Sequence, residues 1–598
     1  MKIKKHLFAG LALLAPFALQ SCIDNDYDLS DIDTTVRLKA TDLVVPLNLD
    51  VLTLSQVLDI EDDGVIVEQT DPKTGERIYA IKKEGDFKSG EVKVRPFVVA
   101  RPSIDPTHAT LKLNSSALGQ APDAAGMLDA YIIIPEELEP ATFSSKATDV
   151  DEAIHDIDSV EVTSTFTITF RFTDLGVSND KIAFKNLVLQ LPKGLSGTYT
   201  KGNKNYNIDK NGRLDLSDIT FSPTSRGELS IVLDIDRINA TYSNITFSRS
   251  AHTLTFEDKI EVLQGIIAIN QSNVAALPPT IDFQLRPALD DIRVNSFYGT
   301  LAYDVEDFRV DPIDLSSIPG FLSQSGTKIR LENPQLYLSV NNPFNKYKVD
   351  FESGFALTAK RDGQATTYAP QELIEVKSTT PAADGNYPPY EIVMAPTRPE
   401  TPYEGYAPAA YLPFPGLKNL LAETGDGMPV SIEIAAPDPK MKESKVENFR
   451  LGEDLGPVNG TYAFYAPLQL SDDSRIAYAD TIDGWNDEDV DAITLSKVAV
   501  NFDATTDFPY NLELSIAPVT LDGREMPGVT STTARLSAKA ADEPVTLVIE
   551  GPITHLDGIR IKANIATGEA QTDALSPDMT LRLKNSKITL TGYYEKEF

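Results

Sequence analysis

The sequence predicts a mainly β protein of tandem β-sandwich modules, immunoglobulin-like in kind, with few short helices. Three observations carry this. Apolar and polar residues alternate with period two in many short runs, turn pairs containing glycine separate the runs, and helical periodicity is scarce.

The clearest run covers residues 160–172. Val160, Val162, Phe166, Ile168, Phe170 and Phe172 fall on one face, and Thr165, Thr167, Thr169 and Arg171 on the other. Branched and aromatic residues at alternate positions suit a half-buried strand. Comparable runs are Leu187–Leu191, Leu229–Ile235, Ile329–Leu331, Leu336–Val340, Val498–Phe502, Leu512–Ile516, Val545–Ile549 and Ile588–Tyr594. Asn211-Gly212, Asp362-Gly363 and Asp522-Gly523 supply turns. Short helical turns are expected at Thr53–Leu58, where Thr53 and Gln56 form a capping-box pattern, at Ser317–Leu322 and at Gly416–Leu421.

At the N-terminus, Lys2, Lys4 and Lys5 precede the apolar run Leu7–Leu19, which contains Pro16. A bilayer-spanning helix needs about 20 residues, so this shorter run reads as the h-region of a secretory signal. It ends in Leu19-Gln20-Ser21-Cys22, which resembles the lipobox of bacterial lipoproteins, and Cys22 is the only cysteine in the 598 residues. The resemblance implies cleavage before Cys22 and lipidation on it. Two or more acyl chains give durable anchoring. Five aspartates follow (Asp24, Asp26, Asp28, Asp31 and Asp33). An acidic stretch behind the cysteine is similar to the surface-export signal of Bacteroidota lipoproteins. The chain therefore resembles the large lipoproteins of that phylum, which implies an outer-membrane, surface-exposed location but no defined activity.

A formal net charge of −34 becomes −37 once the three signal lysines are removed. Such a surface disfavours nucleic acid, whose binding rests on Lys and Arg at phosphates. With no second cysteine, stability must come from apolar cores.

Residues 381–415 hold nine prolines and five tyrosines (Tyr387, Tyr390, Tyr403, Tyr406 and Tyr411). That composition reads as a semi-rigid linker or long surface loop, its tyrosines packing it onto neighbours or presenting a sticky face. A weak repeat relates Ile318–Leu331 to Phe414–Ile434. The expected organisation is a signal (1–21), an acidic tether (22–40), an N-terminal mixed or β domain (41–155), a β-sandwich (156–290), a β module (291–380), the linker (381–415) and a C-terminal β-sandwich (416–598).

Chemical motifs are sparse. There is no H-E-x-x-H, G-x-S-x-G or Walker A pattern. His108, His155, His252 and His555 lie far apart in the chain and read as scattered surface residues. Asn207, Asp209, Asn211, Asp215 and Asp218, around Gly212, have the spacing of a twelve-residue calcium loop, since hard Ca²⁺ takes six to eight oxygens. The same stretch also reads as a hairpin turning at Asn211-Gly212. Trp485, the only tryptophan, is a candidate sugar-stacking platform or an anchor against a core. Asp33-Thr34-Thr35, Asp158-Ser159-Val160 and Asp480-Thr481-Ile482 resemble the O-glycosylation sequon of Bacteroidota.

These readings predict a non-enzymatic, lipid-anchored surface protein with a binding or structural role, meeting an extracellular glycan or protein. The alternatives are a glycan-capture lipoprotein for nutrient uptake, an adhesin or fimbria-like subunit, and a carboxylate-based hydrolase.

Overall fold

The computed structural model describes residues 35–46, 51–55, 64–115, 128–134, 138–223, 227–271, 277–316, 328–361, 364–421, 429–472, 474–485, 493–566 and 573–597. The signal, Cys22, the aspartates behind it and most of one arm of the weak repeat (318–327) lie outside them. The fold is mainly β, in stacked, almost wholly antiparallel sheets, with three-residue and five-residue 3-10 turns such as Pro415–Asn419.

The first sandwich faces an eight-stranded sheet against a nine-stranded one. At the middle of the larger sheet runs Ile154–Phe172, between Glu228–Asn239 and Thr280–Leu289. Its alternation holds: Phe166, Ile168, Phe170 and Phe172 are buried, and the intervening threonines are partly exposed. Phe170 meets Phe184 of the opposite sheet with ring centroids 5.9 Å apart, so the two inner faces share one core.

The second sandwich sets a seven-stranded sheet against smaller sheets of four and three strands. Gln335–Asn341 and Pro457–Pro467 bury both of their faces. Leu336, Leu338, Tyr462 and Phe464 point into the main core, while Tyr337, Ala463 and Tyr465 belong to a small cluster on the reverse side.

That reverse face corrects the linker expectation. Within 381–415, Tyr390–Ala395 and Ala410–Pro413 are strands of the seven-stranded sheet, paired in parallel. A parallel pair needs a crossover, and residues 396–409 provide it over the reverse face. Tyr403 stacks on Tyr465 at 4.6 Å, Tyr406 lies 4.9 Å from Tyr337, and the Tyr403 amide donates to the Tyr337 hydroxyl at 2.9 Å. Proline supplies the extended backbone and tyrosine the apolar surface that holds it down.

The third sandwich pairs a six-stranded with a four-stranded sheet and has its own core, including Leu512, Leu514, Val545, Leu547 and Ile549. Its edge strand is Thr35–Pro46, which runs antiparallel to Thr580–Glu597, with Thr35 opposite Glu597.

The modules are therefore nested rather than consecutive. The chain starts in the third sandwich, passes through the second (Ile66–Thr70, Arg77–Glu91), builds the first, returns to the second at Arg309–Val310 and finishes in the third. This corrects the expected boundaries. Strands from 41–155 complete sheets of all three sandwiches, and 416–598 is divided among them. Short-range patterning identifies strands but carries no information about which distant strand completes a sheet.

The strand Ser444–Arg450, which in the chain lies between strands of the second sandwich, pairs with Ile292–Leu301 in the nine-stranded sheet and ties the second sandwich's chain to the first. Leu575, hydrogen-bonded to Tyr79 (2.8 Å) and Leu468 (3.0 Å), joins the second to the third. At that junction the buried Tyr510 hydroxyl accepts from the Leu470 amide (3.0 Å) and donates to the Asp573 carbonyl (3.2 Å).

Candidate functional site

A cleft of about 1450 Å³ lies where the first and second sandwiches meet. The segments that cross between them wall it, carrying Lys93 and Arg95, then Ala302–Asp304, then Lys440–Glu443. The first sandwich adds Asp151–His155, at the entry to its long central strand, and the turn Arg249–His252.

Asp151 forms the floor. Its buried carboxylate accepts from the Ala153 amide (3.0 Å), the Arg95 amide (2.9 Å) and Arg95 Nε (3.2 Å). An aspartate that bonds the amide two residues on shapes a turn, and here the same side chain latches the incoming crossing segment.

His155 holds the rim. Its Nδ1 lies 2.8 Å from Glu443 Oε2, and Arg249 Nη2 lies 2.9 Å from its Nε2. Arginine can only donate, so Nε2 is the acceptor and Nδ1–H donates to Glu443. His252, in the left-handed region at φ +49°, lines the same cleft with a buried Nδ1 that has no hydrogen-bond partner among the described residues. The expectation of four scattered histidines is thus corrected for two of them. His108 and His555 are exposed elsewhere.

Along one side runs a chain of alternating charges on the three-stranded sheet. Asp350 pairs with Lys377 (3.1 Å), Lys377 with Glu375 (2.8 Å), Glu375 with Lys442 (2.5 Å), and Glu352 with Lys440 (3.3 Å). Hydrogen bonds from Lys377 and Lys442 pull the Glu375 carboxyl down to about 2. A depressed carboxyl stabilises the fold above its unfolded value, and that contribution disappears as pH falls through the folded one. Glu375→Gln should therefore lower the melting temperature at neutral pH, and the gap to the parent should close between about pH 4.3 and pH 2. Parallel melting curves over that range would remove the ion chain as a contributor.

The sequence-predicted site residues lie elsewhere. Asn207 Oδ1 accepts from Thr198 (2.9 Å), Asp209 Oδ1 from the amides of Asn211 and Arg213 (2.8 Å each) and Asp215 Oδ1 from the Ser217 amide (3.0 Å), while Asp218 pairs with Lys204. These oxygens serve separate partners, and among the described residues no group of three or more His, Cys, Asp or Glu side chains is placed to hold a metal ion. A tight turn does form, with Gly212 at φ +81°. Its flanking strands Lys204–Asn207 and Arg213–Leu216 belong to opposite sheets, so it is a corner between layers rather than a hairpin. Trp485 packs against the third core, its amide bonded to the Asp557 carbonyl at 2.8 Å. Ser159 is buried in the central strand, and Thr481 Oγ1 accepts from Arg560 Nε at 3.0 Å; Asp33-Thr34 is outside the described residues.

Sequence reasoning missed the cleft because its members are drawn from residues 93 to 443 with no spacing rule among them. Fold and site together define a multi-sandwich β protein with a polar cleft between modules. No family model matches the chain, and no curated protein matches it. Among solved structures it is similar to a Parabacteroides distasonis protein described as secreted, with 12% identity over 50% of this chain and 89% of that one and a TM-score of 0.35. It is also similar to PNGF-II, with 8% identity over 81% of this chain and 99% of that one and a TM-score of 0.12.

Proposed function

We propose that the protein is a non-enzymatic, lipid-anchored binding protein of the outer envelope, exposed at the cell surface, which takes a polar ligand in the cleft between its first two sandwiches. The cleft is the observation that carries the binding role. Its polar lining and its size suit a hydrated ligand, and Asp151, Glu352 and Glu443 are held by basic neighbours rather than poised as an acid–base pair.

The anchoring part rests on the lipobox-like run ending at Cys22. Residues 23–34 reach at most about 40 Å before Thr35 enters the third sandwich. In this reading the third sandwich is the module joined directly to the lipid tether.

Protease shaving of intact cells is the test. Loss of the protein while a periplasmic control survives, together with release of a Cys22→Ser variant from the membrane fraction, is the expected result. Protection until the outer membrane is broken would overturn surface exposure, and a membrane-bound Cys22→Ser variant would overturn the anchor.

A further inference from the structure

We propose that the cleft binds an anionic polysaccharide, recognised through Lys93, Arg95, Arg249, Lys440 and Lys442. The inference rests on the reading of the cleft as the ligand site and adds the ligand's charge.

The whole chain carries 54 Lys and Arg against 88 Asp and Glu; the cleft lining cancels that excess, with Lys93, Arg95, Arg249, Lys440 and Lys442 facing an equal number of carboxylates, of which fewer are exposed. Arg95 and Arg249 are 72% and 57% exposed, Lys440 and Lys442 are 49% and 38% exposed, and Lys93 is exposed as well. Of the five acidic residues lining the same space, Asp151 is buried beneath Arg95 and Glu352 lies largely covered beneath the two lysines. Only Glu152, Asp304 and Glu443 stand exposed there, and Glu443 is tied to His155. Arg95 meets Asp151 through Nε, so that bond leaves both of its terminal nitrogens for another acceptor. Lys93 makes no ion pair among the described residues. Lys440, Lys442 and Arg249 are paired with Glu352, Glu375 and Glu443, so the exposed Lys93 and the terminal nitrogens of Arg95 are the heads most available to an anion entering the concavity.

Two further features select a polysaccharide among anions. The non-polar residues of the lining are Ala153, Ala302 and Met441, with Tyr303 half-buried. Peptide recognition through an apolar pocket or an open sheet edge needs features this lining does not supply, whereas a chain rich in hydroxyl groups needs only polar partners. The acidic surface beyond the cleft opposes the dense charge of a nucleic acid. Acidic sugars are more widely spaced in charge, and at physiological salt the surface charge is screened beyond about 8 Å.

The experiment is titration calorimetry of the full-length protein in detergent with four probes: polygalacturonate (carboxylate only), dextran sulfate (sulfate only), neutral dextran and a single-stranded oligonucleotide. Binding of one or both acidic polysaccharides is expected, weakening about tenfold or more between 50 and 300 mM salt. Polygalacturonate alone would assign the anion as carboxylate, and dextran sulfate alone as sulfate. Lys93→Glu combined with Arg249→Glu should weaken binding by at least about tenfold, and the milder Lys93→Gln by about threefold, with melting temperatures reporting that each variant is folded. Binding of neutral dextran as tight as that of the acidic chains would overturn the charge assignment and leave the cleft as the ligand site. Acidic-chain binding untouched by either folded variant would overturn both. Equal binding of the oligonucleotide, or no binding of any probe, would overturn the polysaccharide assignment.

Discussion

Phe170→Ala should destabilise the first sandwich by about 3–5 kcal/mol, the usual cost of truncating a fully buried aromatic. Phe170 is 0% exposed. It lies near the C-terminal end of the strand Ile154–Phe172, with the rings of Phe184 and Phe283 each 5.9 Å away. Phe184 belongs to the opposite sheet, so the truncation opens a void between layers that neither backbone can close. The effect should not reach the whole molecule. The first and second sandwiches share one continuous core, while most of the third forms a separate one. Unfolding therefore need not be two-state, and the chain carries its own reporter of this. Trp485 is the only tryptophan and packs on the third core. In Phe170→Ala, the denaturation midpoint read by tyrosine near-ultraviolet circular dichroism should fall while the midpoint read by tryptophan fluorescence stays in place. Equal shifts in both signals would mean that all three sandwiches unfold as one unit.

Asp151→Ala should produce the second large loss and should reach the cleft directly. The substitution leaves the amides of Arg95 and Ala153 without their acceptor. A buried donor left unmade costs about 1–3 kcal/mol, so roughly 2–6 kcal/mol is expected for the pair. Asp151→Asn keeps an acceptor oxygen and should recover part of that. Hydrogen exchange separates this from a general loosening. The amides of residues 93–97 and 151–155 should exchange faster in Asp151→Ala, while those of Val498–Phe502 in the third sandwich stay protected. Unchanged protection at 93–97 would show that Asp151 does not hold the crossing segment.

The strands were legible because their evidence is local. The runs at Phe166–Phe172, Leu336–Val340 and Val545–Ile549 declare themselves by alternation, and each is a strand. Ile329–Leu331 gave the same signal but forms only isolated bridges from Lys328 to Arg475 and from Leu331 to Leu470, being too short to hold a ladder at a junction between modules. The Pro/Tyr-rich stretch was misleading for a physical reason. Proline density marks extended chain, and extended chain serves equally as a loop or as a strand with a strap. What separates the two is the tyrosine face of Tyr337 and Tyr465 that the strap covers, and those residues lie well outside the stretch itself.

The sequence by itself determined the mainly β class, most of the strands and the tight turn at Gly212, because alternation and turn chemistry act between neighbours. Tertiary structure alone decided the nesting, in which Thr35 closes a sheet with Glu597, and the cleft, in which His155, Arg249 and Glu443 meet. Strand partnership is settled by which faces bury one another. A site built from several crossing segments exists only once those faces have met.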